Sequence, residues 1–173
     1  MKKLVLRPLK ASDKDEFLRV LSLDWNGWDF PLFLEERADG SFETYLDVIS
    51  DVRDVKSYLK GLVPGELLFA FDSDGVMVGR LSLRFELNEG LKKRGGHIGY
   101  GVSPDQRKKG YASEILGQAL QIFKKERPSI EKALVTCDET NIASRKTIEK
   151  NGGEFVGVEK LEDVNVLRFE IRI

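Results

Sequence analysis

Apolar and polar residues alternate strictly along Leu167-Arg168-Phe169-Glu170-Ile171-Arg172-Ile173. Period two is the mark of a half-buried strand. Shorter runs read as strands at Leu4–Arg7, Leu67–Phe71, Val76–Phe85, His97–Val102 and Ala133–Cys137. Asp72-Ser73-Asp74-Gly75 is a hairpin turn between two of them. Helical spacing takes over elsewhere. Phe17, Leu18, Leu21 and Leu23 predict a helix over 12–23, with Ser12 as N-cap and acidic residues in the first turn. Ser41 caps a second helical region that runs through Tyr45, Ile49, Val55 and Leu59 and ends at Pro64-Gly65. A third helix spans 110–126, shut off by Pro128. A fourth starts at the Asn141 cap and stops at Gly152-Gly153. Asn88 to Gly96 reads as a polar loop.

The order β-α-α-β-β-β-α-β-α-β-β predicts an α/β fold: a mixed sheet of about seven strands with helices on both faces. Early hairpins give antiparallel pairing, and the strand–helix–strand passage over 97–137 gives a parallel pair. The 173 residues suffice for one domain with a real core, so a single domain over 1–173 is expected.

Composition narrows the function little. The net charge of −1 offers no overall field for nucleic acid or an anionic membrane. One cysteine, Cys137, excludes an internal disulfide and suits a reducing compartment. No apolar run reaches the ~18 residues of a membrane span, so a cytoplasmic location is expected. No His/Cys/carboxylate cluster has metal-ligand spacing, so no metal is expected.

The local chemistry concentrates where a strand hands over to a helix, in Val102-Ser103-Pro104-Asp105-Gln106-Arg107-Lys108-Lys109-Gly110-Tyr111-Ala112. A helix start presents unpaired N–H groups and partial positive charge. Gly110 removes a side chain there, and Arg107, Lys108 and Lys109 add cations. One compact turn of this kind suits a diphosphate. Taken alone, it reads equally as a solvated basic turn. It is neither a Walker A loop nor a dinucleotide fingerprint.

This run resembles the acetyl-CoA motif of the GNAT superfamily of N-acetyltransferases, [QR]-x-x-G-x-[GA], with Arg107, Gly110 and Ala112 at its defined positions. Asn141-Ile142-Ala143-Ser144, followed by Glu149-Lys150-Asn151-Gly152, is similar to the family's second element. The resemblance covers about Leu67 to Gly153 and points to the predicted-acetyltransferase and ribosomal-protein-alanine-acetyltransferase-like branches. It implies a GNAT-like fold in which two parallel strands, here His97–Val102 and Ala133–Cys137, splay around acetyl-CoA. The backbone of Tyr100, Gly101 and Val102 would pair with the pantetheine arm. The turn from Arg107 through Lys108, Lys109, Gly110, Tyr111 and Ala112 would hold the pyrophosphate. Asn141 and Ser144 would touch the far side of the cofactor.

Transfer needs a deprotonated amine and a protonated leaving thiolate. His97, the lone histidine, has an ordinary pKa of ~6.5, which suits a base. A one-residue slip in its strand would turn it to the other face. Glu86 is the alternative base, or a solvated charge. The family's usual acid, a tyrosine, is replaced here by Ile148, and Ser144 could place a hydroxyl near the thiolate. Trp25, Trp28 and Asp29 in the aromatic loop suit a cationic acceptor by cation–π contact and charge, or pack the first helix on the sheet. The reading is therefore direct acetyl transfer from acetyl-CoA, in a ternary complex, to a primary amine of a small molecule or peptide. The alternative is a non-catalytic acyl-CoA-binding or sensor domain. Nucleic-acid and membrane partners are not expected. A terminal edge strand such as Leu167–Ile173 could pair two copies in a homodimer.

Overall fold

The computed structural model describes residues 3–26, 30–53 and 61–173. Two sheets stand where one mixed sheet was expected. Strands β1 (Val5–Arg7), β2 (Gly65–Phe71), β3 (Met77–Arg84) and β4 (Ile98–Val102) form the first in that order. The second runs β5 (Lys132–Asp138), β7 (Asn165–Arg172), β6 (Glu154–Lys160). Every ladder between these strands is antiparallel. The final strand is therefore the centre of its sheet. Its alternation marks one buried face, and the edges of the sheet belong to β5 and β6.

No ladder joins β4 to β5 among the described residues. The expected parallel pair is not formed: the chain just before β4 meets β5 through an isolated antiparallel bridge between Gly96 and Val135 and a 2.7 Å bond from the His97 N–H to the Leu134 carbonyl. Beyond that point the strands belong to different sheets. The division falls where the splayed pair was expected.

The helices are α1 (Lys14–Leu21), α2 (Leu34–Arg37), α3 (Phe42–Ser50), α4 (Glu89–Lys93), α5 (Tyr111–Glu126) and α6 (Ile142–Lys150). Period-two alternation splits β2 between two cores. Leu68 and Ala70 join Leu81, Leu83, Ile98, Ile115, Phe123, Val135 and Phe169 in the core on the α5 side. Leu67, Phe69 and Phe71 face the other way, into Phe17, Trp25, Phe30, Phe42 and Tyr45 of the N-terminal helices and their loop. Phe17 is fully buried, with ring contacts to Phe42 at 5.0 Å and Tyr45 at 5.3 Å. Helices thus cover both faces of the first sheet.

Local details depart from the pattern where tertiary contacts intervene. Ser12 does not cap α1. A 3-10 turn, Ala11–Asp13, precedes it. The Asp13 carboxylate accepts from the Lys10 N–H at 2.7 Å and from Arg7 at 2.6 Å, which ties β1 to the helix entry. Ser41 and Asn141 do cap α3 and α6, accepting from the Thr44 and Ser144 amides. The expected polar loop holds α4, capped by Asn88, whose side chain accepts from the Leu91 N–H at 2.9 Å. The second helical region reaches Arg53, and its expected continuation through Val55 and Leu59 lies outside the described residues.

Candidate active site

The turn between β4 and α5 is built to leave its amides free. After the 3-10 turn Pro104–Gln106, Arg107 is extended, Lys108 has φ 63° and Gly110 has φ 86° as the N-cap of α5. Left-handed residues interspersed in this way turn successive N–H groups toward one concavity. Among the described residues, no acceptor pairs with the amides of Arg107 to Ala112. Ser113 and Glu114 are the first donors in α5, both to the Gly110 carbonyl. Arg107, Lys108, Lys109 and Gly110 are exposed. Lys109 bends back onto the 3-10 turn, donating to Gln106 at 2.8 Å, while Arg107 stays within 3.4 Å of the Val102 carbonyl. The turn is braced from below by Arg19 of α1, which pairs with Asp105 at 2.8 Å and with Glu16. Glu16 in turn accepts the Met77 amide at the start of β3.

β4 presents two faces to its surroundings. Ile98, Tyr100 and Val102 lie on the α5 side. The opposite face is Gly99 and Gly101, paired in register with Ser82 and Arg80 of β3. Trp25 stands near Gly101: a Cβ there would come within 3.9 Å of its ring. The indole N–H is taken by the Val20 carbonyl at 2.9 Å, and the ring stacks on Phe30 at 4.5 Å. Trp25 is therefore a fixed wall. Trp28 and Asp29 lie outside the described residues.

Opposite the turn, Tyr100 bridges to α6. Its hydroxyl lies 3.0 Å from the Ser144 Oγ and 3.3 Å from the Ser144 carbonyl. Burial pushes the Tyr100 phenol up to about 12, although the Ser144 bond works against it. Burial also raises the Cys137 thiol, with Asp138 adding to the effect. Tyr100, Cys137 and Ser144 thus gather between β4, β5 and α6. The sequence pattern assigned Tyr100 only a backbone role. The parity of β4, with Ile98 and Val102 both apolar, was the signal that its side chain points to α6.

His97 and Glu86 do not join this cluster. His97 Nδ1 accepts the Leu134 N–H at 2.9 Å, and the ring packs edge-on to Phe123 at 5.3 Å. The acceptor nitrogen is used, so Nε2 carries the proton in the neutral ring. Burial, reinforced by Arg84, lowers the imidazole pKa. This bond fastens β4 to β5 at the start of the splay and fits a scaffold better than the expected base. Glu86 is exposed in the bend after β3. Among the described residues no group of three or more His, Cys, Asp or Glu could hold a metal. No helix there is long and apolar enough to cross a membrane.

The free turn at a helix start, beside a pair of strands that part company, is the architecture of an acyl-transferase fold. The chain belongs to the GNAT acetyltransferase family: the family's acetyltransferase (GNAT) domain model matches residues 3–154. Among curated proteins no match is found. Solved structures share the fold at low identity. RimL, a ribosomal L7/L12 alpha-N-protein acetyltransferase in complex with coenzyme A, superposes with a TM-score of 0.67 at 20% identity, over 100% of this chain and 96% of that one. A spermidine N-acetyltransferase SpeG mutant from Vibrio cholerae gives 0.64 at 18%, over 98% and 93%.

Proposed function

We propose that this chain is an acetyl-CoA-dependent N-acetyltransferase acting on a primary amine by direct transfer in a ternary complex. The observation that carries this reading is the run of free amides from Arg107 to Ala112 at the mouth of α5, beside the parted β4 and β5. The residues fit the cofactor. Gly110 has no side chain to block a pyrophosphate, its amide and its neighbours' lack acceptors among the described residues, and Arg107 and Lys108 supply positive charge. The backbone of Tyr100 to Val102 faces the gap between the sheets, and Asn141 holds Ser144 at its far side.

Acetyl-CoA, when bound, supplies an activated acyl carbon and a thiolate leaving group. The chain's part is to position and to hold protons. Trp25 and the glycine face of β4 form a wall for the acceptor amine. The Tyr100–Ser144 hydroxyl pair keeps a proton available near neutral pH, because the phenol remains protonated. With His97 engaged by Leu134, the amine's proton passes to water in the cleft. That engagement is also what favours the second reading, an acyl-CoA-binding sensor without turnover. Thiol release from acetyl-CoA across a panel of primary amines separates the two. The enzyme reading requires amine-dependent release. Tight acetyl-CoA binding with no release on any amine favours the sensor.

A further inference from the structure

Arg84 is a cation beside the glycine face of β4 with no anion to match it among the described residues. It sits on the same face of β3 as Arg80 and Ser82, and a Cβ on Gly99 would lie 3.3 Å from its Nη1 and 3.4 Å from its Nη2. Nη1 donates to the carbonyls of Gly95 and Gly96 at 3.2 and 3.1 Å. Nε and Nη2 have no protein acceptor among the described residues, and neither is sealed from solvent. Among the described residues no carboxylate faces the group. The charge that acts on it is Arg80, and burial with that neighbour lowers its pKa to about 10. A desolvated guanidinium is costly unless it is paired.

The same side chain lines a cavity of about 350 Å³ between β3, α4 and the Phe33 and Leu62 region. Leu32, Phe33, Leu67 and Leu91 make its walls, and Ser82 and Arg84 are polar groups on its floor. A few polar groups in an apolar cavity of this size are the usual form of a small-molecule site. The free Nε–Nη2 edge is a fork that matches a carboxylate in two-point contact. Gly99 supplies the room, because its missing side chain leaves the guanidinium open over β4. Gly99 shares its face of β4 with Gly101, beside Trp25 and opposite the Tyr100 side chain, so an anion on Arg84 would sit on the proposed acceptor wall.

We infer that the acceptor carries a carboxylate close to its amine, and that Arg84 binds it through the Nε–Nη2 edge. This rests on the acetyltransferase reading and narrows its substrate class from any amine to amino acids or N-terminally acidic peptides. The exposed Glu35, Glu36 and Asp24 do not oppose an anion at this depth. If Arg84 only clamped the Gly95–Gly96 turn, one nitrogen would suffice and substrate charge would not matter.

The test is a set of matched acceptors with the wild-type protein. Leucine is compared with isopentylamine, phenylalanine with phenethylamine, and Asp-Ala amide with Asn-Ala amide. The first two pairs report an α-carboxylate and the third a side-chain carboxylate. The member with the carboxylate in at least one class should be preferred by about 30-fold or more in kcat/KM, through KM. Arg84→Gln should bring that ratio toward one, and Arg84→Lys should restore part of it. Calorimetry with N-acetyl-leucine against N-acetyl-isopentylamine reads recognition without turnover, and does not depend on any variant folding. Turnover of amines with no carboxylate preference in any pair overturns the inference and leaves the enzyme reading standing. Carboxylate-dependent binding without turnover overturns the enzyme reading and the acceptor role, and keeps only Arg84 as a carboxylate-binding group. Neither turnover nor carboxylate-dependent binding overturns both.

Discussion

The imidazole of His97 is held by the backbone of Leu134: Nδ1 accepts that amide at 2.9 Å, while the His97 N–H donates to the Leu134 carbonyl at 2.7 Å. A residue 37 positions away thus fixes the ring's tautomer and pins β4 to β5 where the two sheets begin to part. The lone histidine of the chain is a fastener at the head of the cleft.

The single histidine makes its titration unambiguous. Its folded pKa lies below the ordinary 6.5, since burial disfavours the imidazolium. Below about 6.5 the unfolded chain binds a proton that the folded chain refuses. Stability is therefore full above that value, falls as pH drops through it, and levels off once the folded ring protonates. Nitrogen-15 NMR of the side chain should show the Nε2–H tautomer and a pKa under 6.5. A pKa above 6.5, or the Nδ1–H tautomer, would contradict the assignment. His97→Phe should cost about 1–3 kcal/mol by leaving the Leu134 amide unpaired.

Tyr100 is expected to act through its hydroxyl. Tyr100→Phe should lower kcat by about 10²-fold, the range of one general-acid contribution, with little change in acetyl-CoA affinity. The basic limb of the wild-type profile should show no break from Tyr100 at the ordinary phenol value of 10.0, because burial holds it higher. Steady-state kinetics of the variant check both. An unaltered kcat would remove the hydroxyl from the chemistry.

Asn141 links a helix cap to the site. Its side chain accepts the Ser144 amide at 3.0 Å at the start of α6. Asn141→Ala should cost about 1 kcal/mol, or roughly 2–4 °C in Tm for a chain of this size. Differential scanning calorimetry reads the loss. Asn141→Asp should retain most of the stability.

Gly79 meets the backbone of the neighbouring strand. A Cβ there would overlap the Gly101 carbonyl and lie 3.2 Å from Ile115 of α5. Gly79→Ala should destabilise the protein by about 1–3 kcal/mol through overpacking, measured by urea unfolding. Gly75→Ala meets nothing within 4 Å and strains only the turn backbone, where φ is 82°. Its cost should be the smaller of the two.

Periodicity carried much of the element order because several helices and strands have one buried face, with Phe17 and Val20 in α1, Ile115 and Phe123 in α5, and Leu167, Phe169 and Ile171 in β7, whereas β2, buried on both faces, reads as an unbroken apolar run. The shape of the turn into α5 was visible for a related reason, since Gly110 and its basic neighbours are adjacent in sequence. What sequence pattern missed depends on distant partners. Asp13 displaces Ser12 at the entry to α1 because Arg7 reaches it. The α4 helix has no buried residue, so no apolar stripe announced it. His97 looked free for acid–base work because Leu134 lies in another strand. Arg84 and Tyr100 gained meaning only when the β3–β4 register put Gly99 under one, and α6 over the other.

On the proposed function, the turn from Arg107 to Ala112 holds the phosphates of acetyl-CoA. Isothermal titration of acetyl-CoA into the wild-type protein and into Gly110→Val tests it most directly. Wild-type binding is expected in the ~1–100 μM range, within the span of ordinary enzyme–substrate affinities, with binding at least about tenfold weaker in the variant. Equal affinity in the two proteins, or no binding to the wild type, would contradict it.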